Sequence, residues 1–434
     1  MRVLSNQLSE HVDETVHLEG WLHKKRLLGG LTFINLRDRG GVVQALLKDP
    51  TEVDKLKGVH IGSILELDGV VVREARAPGG VELHDVKLNV VVPVVYEPPI
   101  EIDKPLSHKP ENLDTLFEHR SLGLRNLNEA KVFYVRSMLL KYIREFLYSK
   151  DFVEIQTPKL VANAAEGGAE VFKLDYFGKP ASLAQSPQLY KQVMVGVFER
   201  VFEVGPAFRA EPSATTRHVS EVTMLDLEMA FIHGHEDVLN MVQALLYAVV
   251  TKVWEQHGDI LNDLKAPKPL LKDKFPRYSM KQIHELYAKE NQTDMSGEVD
   301  LTPDEERWIC EYAKQHDGCE AVFATDLPRS KMKFYHMAKD DASALSADLL
   351  FKGLELATCP QREHRYDQLK QQMEAAGISI DDHAYQFYLQ AFKHGMPAHG
   401  GCGFGIDRLV EKVVGLGNIK EAILFPRDIN RIVP

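Results

Sequence analysis

Two arginines, Arg209 and Arg217, lie eight residues apart in a segment that is predicted to connect two strands. A guanidinium stays charged at neutral pH and binds phosphate or carboxylate oxygens through two parallel hydrogen bonds. The pair therefore indicates a binding site for a polyphosphate. A surface hairpin with charged side chains is the alternative, and this segment alone does not separate the two.

A second segment of chemical interest lies near the C-terminus, where residues 400–408 have the sequence GGCGFGIDR. Its glycines indicate that the backbone passes close to another group, and Arg408 follows at the predicted start of a helix. The segment lacks the Gly-Lys-Ser/Thr ending of a P-loop and follows no βαβ pattern of a dinucleotide-binding fold. By itself it is weak support for a nucleotide site.

The first hundred residues predict a small β-barrel. Five β-like segments are separated by turns that contain glycine or proline. They are residues 16–23, 31–38, 42–48, 63–73 and 82–92, with a short helical piece at 51–57. This order is typical of an OB-fold. Period-2 alternation places Phe33 on the polar face of the second segment, where its ring either stacks on a base or covers the barrel rim.

A proline-rich segment, residues 96–112, follows the barrel and indicates a domain boundary, because proline removes a hydrogen-bond donor and restrains the residue before it. Beyond it, a 3.6-residue period predicts a helix of about 20 residues. A strand closed by Pro158 follows this helix. We expect an OB-fold domain at 1–97, a hinge or linker at 98–126 and a second domain at 127–434.

The second domain alternates strands and helices. Strands are predicted at 200–207, 222–231, 321–325 and 346–356, and helices at 235–256, 280–289, 303–315, 365–375 and 381–392.

Composition indicates a globular protein. The sequence has 434 residues, 44% hydrophobic and 26% charged, and a net charge of −11. This length suits two or three domains, and the negative charge argues against unspecific binding to nucleic acids. No apolar stretch is long enough to span a membrane and none resembles a signal peptide, so we expect a cytoplasmic protein. Four cysteines without a C-x-x-C pair predict free thiols and no zinc site.

Together, these segments resemble the three motifs of the class II aminoacyl-tRNA synthetases, and specifically the aspartyl branch of archaeal and eukaryotic type, over essentially the whole chain. The long helix and the strand ending at Pro158 resemble the first motif, residues 208–231 the second and residues 401–409 the third. The resemblance implies a homodimer, an antiparallel sheet of six or seven strands flanked by helices, and the use of ATP with Mg²⁺. The predicted fold class is therefore α+β, with an OB-fold barrel before the antiparallel sheet.

The resemblance assigns ATP-binding roles to the second and third motifs. Arg209 is implied to hold the α-phosphate and the amino acid carboxylate, and Glu211 to accept a hydrogen bond on the adenine side. Arg217, His218 and Arg408 are implied to contact the γ-phosphate. These roles agree with the chemistry of adenylation, in which a carboxylate meets a phosphate and the leaving pyrophosphate needs neutralisation.

The resemblance also implies a magnesium site on one strand at 346–358, formed by Asp348, Glu355 and Thr358. Glu355 is implied to be catalytic together with Arg209 and Arg408, although an exposed cross-strand charge is the alternative for it. Relatives usually carry serine and glycines before Gln-Arg, whereas this chain has Thr-Cys-Pro at 358–360. Threonine retains the hydroxyl, while proline removes a backbone donor and stiffens the turn.

For the amino acid, Gln188 and Lys191 lie in a stretch that resembles the aspartate-binding segment of the family. Lys191 is implied to face the side-chain carboxylate, with Arg362 as the second cation and Asp226 orienting the lysine. Two cations around a carboxylate favour aspartate over asparagine, whose amide would leave them unpaired. Glu166, on a glycine-containing loop, is implied to accept the substrate ammonium, and an exposed acid on a flexible loop is the alternative.

In the barrel, the resemblance implies a face that reads the tRNA anticodon. Phe33 is implied to stack on a base, Gln44 to read uracil, Arg26 to contact backbone and base, and Glu82 to read the first anticodon guanine. Single-stranded RNA loops are recognised by such stacking and edge hydrogen bonds.

Two positions beside this face bear on the choice of tRNA. Leu28 and Pro78 have no polar side-chain atom that would distinguish cytosine from uracil at the third anticodon base. We therefore expect relaxed choice between tRNA-Asp and tRNA-Asn, unless backbone groups or Glu82 provide the discrimination.

The resemblance thus implies an aspartate–tRNA ligase. The asparaginyl enzyme is one alternative, which Lys191 and Asp226 disfavour. A non-catalytic RNA-binding paralogue is another, which Arg209, Glu355 and Arg408 disfavour. The implied partners are aspartate, tRNA-Asp, tRNA-Asn under relaxed choice, a second copy of the chain, and a tRNA-dependent amidotransferase that would receive the mischarged tRNA-Asn.

Overall fold

The computed structural model describes residues 2–28, 31–106, 110–162, 171–213, 215–295 and 297–433, without the side chains of residues 110 and 111. The chain divides into two units, Met1–Ala130 and Lys131–Pro434. Within the described residues, no helix combines the length and the apolar character that a membrane crossing requires.

Five strands close into a barrel in the first unit: β1 (Thr15–Leu28), β2 (Leu31–Arg37), β3 (Val42–Leu47), β4 (Ile64–Arg73) and β5 (Val81–Val92). Their order around the barrel is β1-β2-β3-β5-β4, and β1 pairs with β4 to close it. A short helix, α1 (Pro50–Asp54), lies between β3 and β4. These elements confirm the predicted OB-fold.

Alternate residues of β2 point into and out of the barrel, as the sequence pattern predicts. Ile34 and Leu36 are buried in the barrel core, whereas Phe33 and Asn35 are half-buried on the outer surface. Leucine and valine side chains from all five strands fill the interior. The apolar residues thus pack in the barrel core, and the residues that alternate with them form the outer face.

Residues 98–126, expected to be a linker, contain two short helices, α2 (Pro110–Glu118) and α3 (Arg120–Gly123). The buried side chain of Asn126 donates to the carbonyl oxygens of Ile102 (3.2 Å) and Lys104 (2.6 Å). This segment therefore has fixed contacts within the first unit.

The long helix α4 (Leu127–Tyr148) confirms the predicted helix and leads into the second unit. The strands after it are β6 (Val153–Glu154), β7 (Leu160–Val161), β8 (Lys173–Tyr176), β9 (Lys179–Leu183), β10 (Arg200–Phe208), β11 (Glu221–Ala230), β12 (Arg277–Ser279), β13 (Ala321–Thr325), β14 (Ala347–Phe351), β15 (Leu354–Thr358) and β16 (His399–Gly405). The helices are α5 (Gln188–Phe198), α6 (His235–Asp263), α7 (Met280–Asn291), α8 (Pro303–Asp317), α9 (Tyr366–Ala375), α10 (Gln386–Lys393) and α11 (Ile406–Val414).

The main sheet has eight strands in the order β12-β13-β14-β15-β16-β11-β10-β6. Its inner pairs are antiparallel, whereas β12 with β13 and β6 with β10 are parallel. The sheet is thus mainly antiparallel, as expected, with one strand more than the upper estimate. Helices α4, α6 and α11 contribute to one core with the sheet, and α7 and α8 pack against β13 and β14 in another.

The hairpin β14–β15 corrects the prediction of a single strand at 346–356. Lys352 and Gly353 form the turn, with φ angles of 47° and 75°. Two successive residues with positive φ match the tight turns that join antiparallel strands. Helix α10 also begins later than predicted, because His383–Tyr385 form a separate 3₁₀ turn.

The glycines of β16 allow this strand to lie directly on β11. Gly401 is paired with Glu228 and Gly403 with Asp226. A Cβ atom on Gly401 would overlap the carbonyl oxygen of Leu227 and lie 2.5 Å from the Glu228 carboxylate. The group that the glycine-rich backbone approaches is therefore the neighbouring strand.

Gly401→Ala should destabilise the second unit by at least about 3 kcal/mol, because the added methyl group meets backbone that has no room to shift. Gly258→Ala is the matched control, since its Cβ would meet only Trp254, at 4.0 Å, within a helix. Urea denaturation of both variants checks this. Equal stability of the two variants would contradict the steric argument.

Candidate functional site

An open cleft lies in the second unit. Residues of β11, β15 and β16, the start of α11 and the loop between β10 and β11 line it. Ten residues that the sequence analysis identified are among them: Gln188, Arg209, Glu211, Arg217, His218, Asp226, Glu355, Thr358, Arg362 and Arg408. The fold therefore brings the predicted ATP-binding residues and most predicted aspartate-binding residues into one space.

Arg209 lies directly after β10, and its backbone N–H donates to the Ser220 carbonyl at 2.9 Å. Its half-buried guanidinium has no hydrogen-bond or ion-pair partner among the residues that the structure describes. An unpaired cation on the wall of a cleft is available to an anionic ligand.

Arg217 is already paired with an acid that the sequence analysis missed. Its Nη1 atom lies 2.8 Å from Oε2 of Glu306 on α8, and its Nη2 donates to the Gly353 carbonyl at 3.4 Å. Burial raises the pKa of Glu306 despite the neighbouring arginine. His218 contacts the Thr215 hydroxyl through Nδ1 at 2.7 Å. An anionic ligand at Arg217 would therefore compete with Glu306.

Arg408 lies in the first turn of α11 and contacts Glu355 on β15. Its Nη1 donates to the Glu355 carbonyl oxygen at 2.7 Å and lies 3.5 Å from the carboxylate. The Thr358 hydroxyl donates to the same carboxylate at 3.2 Å. Glu355 thus connects the predicted magnesium site to a predicted phosphate contact.

Asp348 lies on β14 directly opposite Thr358 and lines a neighbouring cavity with Glu355 and Thr358. Its Oδ1 atom is buried without a hydrogen-bond partner. Burial, together with the Glu355 carboxylate, raises the pKa of Asp348 well above its usual range. An unpartnered carboxylate oxygen beside a second carboxylate fits a divalent cation, which would offset both charges.

The candidate cation site is small. No group of three or more His, Cys, Asp or Glu side chains that could hold a metal occurs in the described part of the chain. A cation between Asp348 and Glu355 would therefore take its remaining ligands from Thr358, water or a bound phosphate, as magnesium sites commonly do.

Four buried charged side chains form an ionic network at the cleft, and two of them, Asp226 and Arg362, line it. We call Lys191, Asp226, Glu228 and Arg362 the charge cluster. Lys191 Nζ lies 2.9 Å from Asp226 Oδ1 and 3.6 Å from Glu228 Oε2, and it donates to the Cys402 carbonyl at 2.9 Å. Arg362 binds Glu228 through two hydrogen bonds of 2.9 and 3.1 Å. Asp226 therefore holds the lysine as expected, and Glu228 holds both cations.

Glu228 is the second residue that the sequence analysis missed, and it is fully buried. Burial alone would raise the pKa of this carboxyl, but Arg362 and Lys191 outweigh burial and lower it. Glu228 follows Asp226 by two residues on a strand, so the two acids share a face. This two-residue spacing was the feature of the sequence from which Glu228 could have been identified.

Two neutral histidines complete the surroundings of the charge cluster. Burial lowers the pKa of His399 to about 4, and it lowers the pKa of His336 well below its usual value. The histidines therefore add no positive charge near neutral pH. Because two acids balance two bases, the charge cluster has no net formal charge.

Arg136 on α4 connects the three sequence motifs, and it was also missed. It is paired with the buried Asp407 carboxylate of α11, and its Nη2 donates to the Thr223 hydroxyl at 2.8 Å. The same Asp407 accepts the Thr223 backbone N–H at 2.7 Å. Helix α4, strand β11 and helix α11 are thereby fixed to one another.

Two predicted aspartate-binding residues are not among the residues that line the cleft. Lys191 is 1% exposed and contacts the lining residue Asp226. Glu166 lies outside the described residues. Gln188 is 4% exposed at the start of α5, and its Nε2 atom is buried without a hydrogen-bond partner. Its amide can therefore donate to a ligand in the cleft.

The predicted anticodon residues share the outer face of the barrel. Arg26 pairs with Phe33 across β1 and β2, and Gln44 pairs with Glu82 across β3 and β5. Gln44 Nε2 donates to Glu82 Oε2 at 2.8 Å, and His84 Nε2 lies 2.7 Å from Glu82 Oε1. Both oxygens of Glu82 are thus already engaged, and His84 is a further member of the face.

Leu28 and Pro78 lie at the edges of this face. Leu28 ends β1 and is 60% exposed, and Pro78 begins an exposed 3₁₀ turn before β5. Neither side chain carries a polar atom, as the sequence analysis noted.

Comparison with known proteins gives two family matches. Residues 112–429 match tRNA synthetases class II (D, K and N), and residues 16–91 match the OB-fold nucleic acid binding domain. These matches confirm the resemblance that the three motifs and the barrel indicated.

Individual relatives match over the whole chain. The Aspartate--tRNA(Asp/Asn) ligase of Thermus thermophilus is 42% identical over 100% of both chains, and the Aspartate--tRNA(Asp) ligase of Pyrococcus abyssi is 37% identical over 99% of each. Among solved structures, asparaginyl-tRNA synthetase from Pyrococcus horikoshii, complexed with asparaginyl-adenylate, matches with a TM-score of 0.91 and 31% identity over 100% of both chains.

Glu228→Gln should lower the free energy of unfolding by about 3 to 5 kcal/mol at pH 7, because it leaves two buried cations poorly balanced. The lowered pKa of Glu228 means that its stabilisation is present above about pH 4.3 and is lost as the pH falls below that value. The difference between wild type and variant should therefore shrink in acid. Denaturation at a series of pH values checks this, with Glu221→Gln at the exposed start of β11 as the control. A pH-independent difference would contradict it.

Proposed function

This chain belongs to the class II tRNA synthetases of the D, K and N group, and we propose that it is an aspartate–tRNA ligase. The observation that carries the proposal is the charge cluster, of which Asp226 and Arg362 line the same cleft as Arg209, Arg217 and Arg408. In the proposed reaction, aspartate and ATP give aspartyl-adenylate and pyrophosphate. The 3′-hydroxyl of the terminal tRNA adenosine then takes the aspartyl group and AMP leaves.

Arg209 is the residue best suited to the first step. The aspartate carboxylate attacks the α-phosphorus, so two anionic groups must approach each other. An unpaired guanidinium in the cleft can bind an oxygen of each and can stabilise the charge that develops between them. The Arg209 guanidinium has no hydrogen-bond or ion-pair partner among the described residues, which supports this role.

The remaining ATP contacts follow from the lining of the cleft. We assign the γ-phosphate to Arg217, His218 and Arg408, and the adenine side to Glu211. Binding of the γ-phosphate draws Arg217 away from Glu306. The loss of one ion pair is then offset by charge-assisted hydrogen bonds to phosphate.

We propose that Asp348, Glu355 and Thr358 hold Mg²⁺ when ATP is bound. The cation would neutralise charge on the ATP phosphates and on the leaving pyrophosphate. The unpartnered Oδ1 atom of Asp348 and its proximity to Glu355 support this assignment. Arg408, which contacts Glu355, would keep that carboxylate in position.

For aspartate, we assign the side-chain carboxylate to Lys191 and Arg362, with Gln188 as a further donor. Lysine and arginine only donate hydrogen bonds, so they suit an acceptor-only carboxylate. Asp226 and Glu228 position the two cations. The substrate ammonium is assigned to Glu166.

Asparaginyl activity is the second candidate, and the asparaginyl-tRNA synthetase of Pyrococcus horikoshii is the observation in its favour. The internal acids of the charge cluster cancel its two cations, so the electrostatic preference for aspartate is smaller than two bare cations would give. The full-length relatives named as aspartate ligases, at 42% and 37% identity, support aspartate. A non-catalytic paralogue would not need all three of the cleft arginines Arg209, Arg217 and Arg408.

We propose that the protein acts as a homodimer. Tyr134 and Tyr148 on α4 are 46% and 53% exposed, and β6 is an edge strand of the sheet with Val153 38% exposed. Exposed apolar surface on a helix beside an unpaired strand edge suits association with a second copy.

We propose that the barrel binds the anticodon and that tRNA-Asn is charged as well as tRNA-Asp. The relative from Thermus thermophilus is named for both tRNAs, which supports this, whereas the name of the Pyrococcus abyssi relative includes tRNA-Asp alone. Apolar Leu28 and Pro78 at the edges of the face also support relaxed choice. Asp-tRNA-Asn would then pass to a tRNA-dependent amidotransferase in the cytoplasm, where protein synthesis uses the product.

ATP–pyrophosphate exchange without tRNA tests the amino acid assignment, because it follows the first step alone. Aspartate should support exchange. Exchange with asparagine alone would establish the second candidate, and exchange with neither would favour the non-catalytic paralogue.

Lys191→Met should reduce kcat/KM for aspartate in this exchange by about 2 to 4 kcal/mol, because it leaves the substrate carboxylate and Asp226 without their shared cation. The KM for ATP should change far less. Lys252→Met is the control, since Lys252 pairs with Glu145 on the surface. Unchanged aspartate kinetics in Lys191→Met would refute the role of Lys191.

Charging of tRNA-Asp and tRNA-Asn under one set of conditions tests relaxed choice. We expect kcat/KM values that differ by less than about 100-fold, or about 2.7 kcal/mol. A tRNA with an unrelated anticodon gives the baseline. A larger preference for tRNA-Asp would mean that backbone groups or Glu82 discriminate at the third base.

A further inference from the structure

A chain of three side chains, His84, Glu82 and Gln44, crosses the outer face of the barrel. We propose that His84 is a positioning residue that, through Glu82, holds the Gln44 amide in one orientation and so makes it selective for uracil over cytosine. The proposal rests on the anticodon-binding role proposed above for this face. It adds a residue to which the sequence resemblance gave no role.

Hydrogen bonds link the three side chains in series. His84 Nε2 lies 2.7 Å from Glu82 Oε1, and Gln44 Nε2 donates to Glu82 Oε2 at 2.8 Å. Glu82 is 5% exposed, while Gln44 and His84 are half-buried. The carboxylate is thus enclosed by its two partners, and the outer two side chains face the surface.

The backbone of β5 sets this arrangement. Residues 81–84 pair regularly with β4, so Glu82 and His84 point to the same face. Directly after His84 the pairing shifts by one residue, and Asp85 has a φ of 51°. Such a bulge turns the strand and is a common way to direct a side chain beside a binding site.

The Gln44 amide needs this support because it can point toward a base in two orientations. It presents a carbonyl acceptor and an NH₂ donor, and rotation by 180° exchanges them. Uracil offers a carbonyl acceptor beside an N–H donor, whereas cytosine offers an amino donor beside a ring nitrogen acceptor. An amide that rotates freely can therefore match either base.

Glu82 removes this ambiguity. Its carboxylate only accepts hydrogen bonds, so the NH₂ group of Gln44 must face it. The amide oxygen and the second N–H of Gln44 then face a base in one order only. His84 engages the other carboxylate oxygen and keeps Oε2 directed at Gln44.

Charging of two tRNA-Asp transcripts, with U or C as the second anticodon base, tests the proposal in the full-length chain. The wild type should prefer U strongly. His84→Ala should reduce the ratio of the two kcat/KM values by at least about fivefold, within the range expected for a bidentate base contact. His84→Gln, which retains a donor, should keep more of the ratio than His84→Ala.

The control is His17→Ala, because His17 lies in the same barrel and contacts Asp68 at 2.9 Å. It should leave the ratio at the wild-type value. An equal loss with both transcripts in His84→Ala, at an unchanged ratio, would show a merely structural role and overturn the inference. A wild type that does not distinguish U from C would overturn it as well.

These outcomes are separate from a failure of the proposed function. Wild-type charging of unmodified tRNA-Asp with aspartate tests that function on its own. If charging occurs and the ratio is unaffected by His84→Ala, only the present inference fails.

Discussion

The charge cluster of Lys191, Asp226, Glu228 and Arg362 is the constraint on which the rest of the second unit depends. Removing four charges from water is unfavourable unless each is paired, so the elements that carry them must meet closely. Helix α5 brings the lysine, β11 brings both acids, and the segment after β15 brings the arginine. The glycines of β16 follow from the same requirement. Gly401 lies directly opposite Glu228, where a larger residue would crowd the carboxylate and the backbone of β11.

A second ionic contact links the strand of the charge cluster to two helices. Arg136 joins Asp407 and Thr223, so the long helix α4 is fixed to the strand of the charge cluster and to the helix that carries Arg408. Each of the three family motifs thus supplies one member of a single buried contact. The motifs are far apart in sequence, and this contact gives a physical reason why they occur together.

Local patterns predicted the barrel well, because alternation and glycine or proline turns determine short antiparallel strands directly. The hairpin β14–β15 was missed since Lys352 is an unusual residue for a turn that requires positive φ, and the apolar alternation appeared continuous. Glu228 and Glu306 were missed for a different reason. An acid on a strand or in the first turn of a helix has ordinary local explanations, and only the folded chain shows the arginine that each one meets.

The pairing of Arg217 with Glu306 has a consequence for which anions the cleft retains. The carboxylate acts as a built-in competitor, so an incoming anion exchanges one ion pair for another and gains little from a single contact. At Arg217, chloride or free orthophosphate would therefore gain little. Under the proposed function, a polyphosphate chain would displace Glu306 from Arg217 and would also contact Arg209, which has no partner among the described residues, and Arg408, which already contacts Glu355. Under the proposed function, the cleft would therefore favour ligands that make several contacts at once.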